Sequence, residues 1–360
     1  MSIFLDDYRQ IGEILKQNNA KKPFICCTKS FEKSKIFEYL KQFNPVVWDR
    51  IRPNPRFDDM IDAAEMFNKE GCDFMIGAGG GSPLDSAKMI RLMTTNDVSK
   101  CLDEPMKNNS VKALFIPTTS GTGAEATKIS VFYINETEKF SVHNLDFIPD
   151  YVLFDESLLL TVPDYQRKCT CLDALSHAIE SYWSVKANDE SKEYARRAIT
   201  LFFEHKDSYM KNLPEGNKGM LEASFYGGKA INITGTTAAH AMCYNITMNC
   251  NTAHGHSVVL VLSKQWEYML SHSEEVNDSR GREYVLKTLD EVAQLMGGKN
   301  ASEGIEIING LLNEFDLSTP KITNSSVDEF VSKVNTDRLG NNPTVLKDVD
   351  VKAIYKMIFE

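Results

Sequence analysis

What this chain lacks narrows its function first. No stretch reaches the roughly eighteen apolar residues of a membrane-spanning helix, so no membrane partner is expected. Basic residues are outnumbered, 40 Lys and Arg against 50 Asp and Glu, and no dense basic patch breaks that balance. A phosphate backbone selects for such patches, so no nucleic-acid partner is expected, although a local anion pocket is allowed. The opening MSIFLDDYRQIGEILKQNN sets two aspartates where a signal peptide needs an apolar run, which points to a cytoplasmic protein. The eight cysteines fall as the pair Cys26 and Cys27, the C-x-C of Cys169 and Cys171, and singles at Cys72, Cys101, Cys243 and Cys250. None of this is zinc-finger or ribbon spacing, and a chain this long needs no disulfides, so reduced, mostly buried thiols are expected.

With 360 residues, 42% of them hydrophobic and 25% charged, the chain has material for two globular domains. Its first part alternates. PFICCT, PVVWDR, CDFMIGAG, ALFIPT, ISVFYINE and YVLFD read as strands, and FEKSKIFEYLKQF, RFDDMIDAAEMFNKEG and SPLDSAKMIRLMTT as helices between them. This alternation predicts an α/β domain with a mostly parallel, helix-covered sheet. After Ser157 the segments QRKCTCLDALSHAIESYWSV, ESKEYARRAITLFFEHKDSYM and GNKGMLEASFYGGKAINI all carry helical spacing, and β-branched runs become rare. An α/β domain over 1–158 and an all-α domain over 159–360 are therefore expected.

Two loops carry the chemistry of the first domain. IGAGGGSPLDSAK ends an apolar run and opens a helix. Gly79, Gly80 and Gly81 let the backbone approach an anion, the helix start supplies free N–H groups, and Ser82 adds a hydroxyl. A plain tight turn would use the same glycines. IPTTSGTGAEAT also follows a strand and offers Thr118, Thr119, Ser120, Thr122 and Thr127 as small donors. Two such loops on neighbouring strand ends would face the crevice where open α/β sheets bind nucleotides.

The second half concentrates metal-ligand types. In CLDALSHAIESYW, Asp173 and His177 are one helical turn apart and project from one face. A lone D-x-x-x-H is commonly a surface pair, so it needs partners. HAMCYNITMNCNTAHGH gathers three of the seven histidines, His240 in an Ala-rich context and His254 and His256 in a loop-like TAHGH. One Asp with several His makes a mixed N/O donor set suited to Fe²⁺ or Zn²⁺ with room for a substrate oxygen.

Over essentially its whole length the chain resembles the iron-containing (group III) alcohol dehydrogenase family. The resemblance rests on GGGSPLDSAK, IPTTSGTGAEAT, DALSHAIESYWS and the interval from His240 to His254. It implies a Rossmann-like nucleotide-binding domain followed by a helical metal domain, NADP or NAD as cofactor, Fe²⁺ or else Zn²⁺, and a homodimer. It implies Asp173, His177, His240 and His254 as metal ligands, Gly79 to Ser82 on the pyrophosphate, and Thr118 and Thr119 along the cofactor cleft. Asp85, Thr122, Thr127 and Lys139 complete the implied cofactor set. The chain departs from the family twice. Where many members carry a further histidine it has Tyr244, leaving Tyr244, His256 or water as proton donor. Where NAD-preferring members often carry Asp at a strand end it reads CCTKS, so Thr28 and Lys29 would tolerate or attract a 2′-phosphate.

Within the family, GKAINITGTTAAHAMCY, AHGHSVVL and DRLGNNP resemble most the subgroup that reduces phosphonoacetaldehyde to 2-hydroxyethylphosphonate. A buried phosphonate must be paired, and Lys229, Asn232 and Arg338 are the candidates. A general short-chain alcohol or aldehyde dehydrogenase is the alternative. A lyase of the dehydroquinate synthase type would need a dense set of Lys and Arg that the chain does not show.

Overall fold

The computed structural model describes residues 2–97, 109–135, 138–322, 325–334 and 336–360; Cys101 and Glu136 lie outside them. The chain forms two compact units, one running to Val162 and one from Pro163 onward.

The first unit contains β1 (Ile3–Leu5), α1 (Gln10–Gln17), β2 (Pro23–Cys27), α2 (Lys35–Leu40), β3 (Val46–Trp48), α3 (Phe57–Lys69), β4 (Phe74–Gly79), α4 (Gly81–Met93), β5 (Lys112–Pro117), β6 (Ile129–Tyr133), β7 (Lys139–His143) and β8 (Tyr151–Leu153). Six strands form one parallel sheet in the order β1-β8-β5-β4-β2-β3. β2 and β4 are buried along their whole length, which explains their near-continuous apolar sequences: both faces of a parallel sheet are covered. Phe24, Cys26, Met75 and Phe115 pack on one face with Phe67 and Ile90. Ile25, Cys27, Phe74 and Ile76 pack on the other with Ile11 and Ile36. From β2 the chain steps outward to β3, then returns across to β4, β5 and β8. The reversal falls between β2 and β4, where such sheets leave a crevice at the carboxyl ends of their strands.

Three elements differ from their sequence reading. The run ISVFYINE supplies β6, which leaves the parallel sheet and pairs antiparallel with β7. Its alternation explains this, since Ser130 and Phe132 are buried while Ile129, Val131 and Tyr133 are half-buried, as in a hairpin covered on one side. The helix read from FEKSKIFEYLKQF is broken at Ser34, whose hydroxyl accepts from Phe37 N at 3.1 Å and starts the six-residue α2. β1 was too short to show a period; it adds an edge strand beside β8.

The second unit contains α5 (Asp164–Trp183), α6 (Asp189–Met210), α7 (Pro214–Thr234), α8 (Ala238–Cys250), α9 (His254–Ser271), α10 (Arg282–Leu295), α11 (Ala301–Glu314), α12 (Val327–Ser332), α13 (Thr336–Leu339) and α14 (Asp348–Phe359). Among the described residues no helix is long and apolar enough to cross a membrane. α5 is buried on every side from Cys169 to Trp183 and packs on α6, α7 and α9. The loop-like TAHGH is in fact a helix start, with His254 the first residue of α9. Gly255 permits this, because a Cβ there would lie 1.9 Å from the Cys169 carbonyl oxygen and 3.0 Å from Asp173 Cβ. α9 therefore touches the α5 backbone at the turn that carries Asp173.

Gly255→Ala is expected to destabilise the second unit by about 1–3 kcal/mol, since backbone rather than a movable side chain blocks the added carbon. Denaturant unfolding of the variant checks this; an unchanged midpoint would show that the α5–α9 contact is not tight.

Candidate functional site

Asp173 lies in the middle of α5, His240 in the first turn of α8 and His254 at the head of α9. One ligand atom from each lies within 4.8 Å of the others. His240 Nε2 is 3.4 Å and His254 Nε2 3.8 Å from Asp173 Oδ1. Asp173 Oδ1 and His240 Nε2 are buried with no hydrogen-bond partner. Buried polar atoms are normally paired, so two ligand-type atoms converging unpaired fit a divalent cation between them. His177 is one turn beyond Asp173, and its ring stacks on that of His240 at 4.5 Å between centroids. It stands beside the three-residue group, against the His240 ring. Asp173, His177 and His240 are buried, whereas 36% of the His254 side chain is exposed, which leaves the cluster one open side.

Glu180 completes the arrangement and was not singled out from the sequence, although it follows Asp173 and His177 on the same α5 face at i+7. It is fully buried. His240 Nδ1–H donates to Glu180 Oε2, while Glu180 Oε1 accepts from Thr237 N at 2.9 Å and Thr237 Oγ1 at 2.7 Å. With Nδ1–H held by Glu180, Nε2 faces Asp173 and would become the ligand atom once a cation displaces its proton, the carboxylate–histidine pairing that orients metal-bound imidazoles. Electrostatics agrees. Burial alone would raise the Asp173 carboxyl, but His177, His240 and His254 hold it below the carboxylate range. Burial alone would lower His240, yet Glu180 and Asp173 push it up to about 10. Two buried carboxylates thus call for positive charge at this point.

The expected proton donors and substrate contacts separate. Tyr244 stacks on His254 with ring centroids 5.4 Å apart, and Arg338 Nη1 donates to its hydroxyl at 2.9 Å. Cys243, also missed from the sequence, brings its Sγ within 3.7 Å of His254 Nδ1. His256 turns away: two residues past His254, it lies about 200° around α9. Its Nδ1 is 3.1 Å from the Tyr165 hydroxyl, and burial lowers its proton affinity. Lys229 also stands apart, its ammonium 3.9 Å from the Tyr194 ring centroid. The α7 face that meets α5 is marked by Gly227 against Ala174 and His177, and by Thr234, whose hydroxyl donates to Ser181 at 3.0 Å. Lys229 is about 200° from Gly227 and Asn232 about 200° from Thr234, so neither shares the face that meets His177. Segment composition could not separate these faces.

In the first unit the two loops meet. β4 and β5 are neighbours in register from Phe74↔Lys112 to Gly79↔Pro117, and Thr118 N donates to Gly79 O at 2.9 Å. A Cβ on Gly80 would lie 3.1 Å from Thr119 Oγ1, and one on Gly81 3.0 Å from Thr122 Cγ2, so these glycines allow loop to pack on loop. Gly79 has φ of +152°, and a Cβ there would strike Pro83 at 2.4 Å. α4 begins at Gly81 with no side-chain cap, so its first-turn N–H groups, including that of Ser82, are not taken up by a capping side chain. Asp85 and Thr127 have another occupation. The ammonium of Lys88, a residue fully buried and not anticipated, donates to Asp85 Oδ1 at 3.1 Å, Thr127 Oγ1 at 3.0 Å and Ile129 O at 2.6 Å. Asp85 Oδ2 accepts from Val131 N at 3.0 Å, so the group ties α4 to β6, and the charge of Lys139 on β7 acts on the same carboxylate. Thr28, at the end of β2, pairs its hydroxyl with Ser30 at 2.8 Å, and with Lys29 it lines a cavity of about 730 Å³.

Known proteins are similar to this chain in sequence and fold. Residues 4–156 match the family model described as iron-containing alcohol dehydrogenase, and residues 168–359 match that of the C-terminal part of the same family. Long-chain-alcohol dehydrogenase 1 of Geobacillus thermodenitrificans is 28% identical over 87% of this chain and 82% of its own length. Phosphonoacetaldehyde reductase of Streptomyces viridochromogenes is 26% identical over 76% of this chain and 72% of its own. The crystal structure of an iron-containing alcohol dehydrogenase from Thermotoga maritima superposes with a TM-score of 0.83 at 25% identity, covering 99% of this chain and 97% of that one. With both units matched, the chain belongs to the iron-containing alcohol dehydrogenase family, the NAD(P)-dependent oxidoreductases of aldehydes and alcohols.

Proposed function

We propose that the chain reduces phosphonoacetaldehyde to 2-hydroxyethylphosphonate, with Asp173, His240 and His254 holding a divalent ion, Fe²⁺ or Zn²⁺, and His177 as the fourth ligand. The observation that carries the substrate reading is Arg338. It is half-buried, it donates to the Tyr244 that stacks on His254, and among the described residues it pairs with no carboxylate. Its guanidinium has five N–H donors in a planar fork that suits a phosphonate, and Tyr244 takes one of them. The likeness to a phosphonoacetaldehyde reductase supports the same substrate at a distance.

When bound, the ion supplies a Lewis acid for the aldehyde oxygen and the reduced nicotinamide supplies hydride. The chain's own residues do the positioning. Glu180 locks the tautomer of His240. Arg338 anchors the anionic end of the substrate and orients the Tyr244 hydroxyl, the proton-bearing group stacked on His254. In the first unit, Gly79 to Ser82 and the 118–122 loop receive the pyrophosphate at the α4 N-terminus. The buried Lys88, Asp85 and Thr127 hold that helix against β6 and keep its N-terminus in place. Among the described residues seven cysteines are free, which supports a reducing, cytoplasmic location.

Asp173→Ala and His254→Ala are expected to lose both bound metal and turnover while retaining native circular dichroism. Elemental analysis showing one full equivalent of metal with normal activity would remove them as ligands.

Arg338→Ala is expected to cost about 2–4 kcal/mol in kcat/KM with phosphonoacetaldehyde, the scale of a lost charge-assisted contact, and little with acetaldehyde or butyraldehyde. Steady-state kinetics with the three aldehydes decides. If the neutral aldehydes serve the unmodified enzyme as well as the phosphonate, the general alcohol dehydrogenase reading replaces this one.

A further inference from the structure

His254 is the most open of the three clustered side chains, 36% exposed against 3% for His240 and 5% for Asp173. The packing that fixes the other two does not fix it, and a ring free to turn presents its ligand nitrogen only part of the time. α8 meets this ring with a single face. His240, Cys243 and Tyr244 stand at i, i+3 and i+4 on that helix, so they project together. The His240 ring lies 5.4 Å from the His254 ring between centroids, tilted by 59°. Tyr244 stacks on the ring, and Cys243 Sγ reaches its Nδ1 edge at 3.7 Å. One side chain thus covers a face of the imidazole and another holds its edge.

The direction of the thiol contact follows from its other partner. Cys243 is fully buried, and its thiol donates to the His240 carbonyl oxygen at 3.4 Å. A carbonyl only accepts and a thiol carries one hydrogen, so that hydrogen is committed to His240. The sulfur is left as an acceptor, and the hydrogen it shares with His254 belongs to Nδ1. A proton on Nδ1 leaves Nε2 as the acceptor atom of the ring, and Nε2 is the atom that faces Asp173 Oδ1 at 3.8 Å. We infer that Cys243 is the positioning residue of His254: its sulfur holds Nδ1–H, so that Nε2 is presented toward Asp173 as a ligand atom. Glu180 does the same for His240 on the buried side of the cluster. The two supports differ in charge. Asp173 and Glu180 already bring the two negative charges that a divalent ion balances. A third carboxylate would leave an excess beside Tyr244 and Arg338, whereas a thiol adds none.

The inference rests on the reading that Asp173, His240 and His254 hold a divalent ion, and the test separates the two claims. Dissociation constants for Zn²⁺ are measured by competition with a chromophoric chelator on the metal-free, full-length chain and on Cys243→Ala, Cys243→Val and Cys243→Ser. Valine fills the space of the thiol without its hydrogen bonds, and serine keeps a group that can donate to the carbonyl and accept from Nδ1–H. Cys243→Ala and Cys243→Val should each weaken Zn²⁺ about 3- to 10-fold, less than the loss of a carboxylate partner because sulfur is a weak acceptor. Cys243→Ser should stay nearer the unmodified chain than Cys243→Val does. In the zinc form with isotope-labelled histidine, the Nδ1–H resonance of His254 should be visible by NMR in the unmodified chain and Cys243→Ser, and lost to solvent exchange in the other two. Equal affinity in all four proteins, or Cys243→Val matching the unmodified chain while Cys243→Ser falls with Cys243→Ala, would overturn the role of Cys243 and leave the ligand set standing. Failure of the unmodified chain to bind Zn²⁺ would overturn both.

Discussion

Two carboxylates sunk into an apolar helix bundle are the constraint on which the second unit depends. Asp173 and Glu180 lie two turns apart on one face of α5, both almost completely buried. An unpaired buried carboxylate is too costly to keep, so the elements packed on that face must bring compensating groups. α8 brings His240, which donates to Glu180 and turns Nε2 toward Asp173, and the Thr237 N–H and hydroxyl that satisfy the other Glu180 oxygen. α9 brings His254, and Gly255 is small enough to let it arrive. The proposed ligand set and the helix packing are one arrangement, and what remains uncompensated at its centre is where the proposed cation would sit.

The first unit solves an analogous problem differently. Asp85 and Lys88 are buried beside the glycine turn and compensate each other, with Thr127 and the β6 backbone taking the remaining hydrogen bonds. Nothing there calls for an external charge. The proposed anion donors are instead the first-turn N–H groups of α4, which has no side-chain cap. A buried pair can brace a site while the solvent-facing groups recognise its ligand.

Much of this was legible in the sequence because it is local. Apolar runs bounded by glycine and proline marked β2, β4 and β5, and the i, i+4 spacing put Asp173 and His177 on one helix face. The rest depends on which residues meet across elements. Nothing local says that His256, two residues from His254, turns toward Tyr165, or that Lys229 lies over Tyr194. The β6 strand was legible as a strand but not as a hairpin, because pairing is a long-range property. Glu180 could have been found, since a glutamate between Ile179 and Tyr182 on a buried stripe is a charge that must have a partner. Cys243 could not, because the histidine it meets arrives from α9.

The claim at the centre of this account is that the buried carboxylates are completed by a divalent ion whose imidazole ligand Glu180 orients. Titration of the metal-free chain with Zn²⁺, followed by calorimetry and by the rise in thermal midpoint, tests it most directly. The expected result is one ion per chain with a higher midpoint on binding, and affinity about 10- to 100-fold weaker in Glu180→Gln, where the histidine's carboxylate partner is lost. Absence of stoichiometric binding, or equal affinity in Glu180→Gln, would contradict the account.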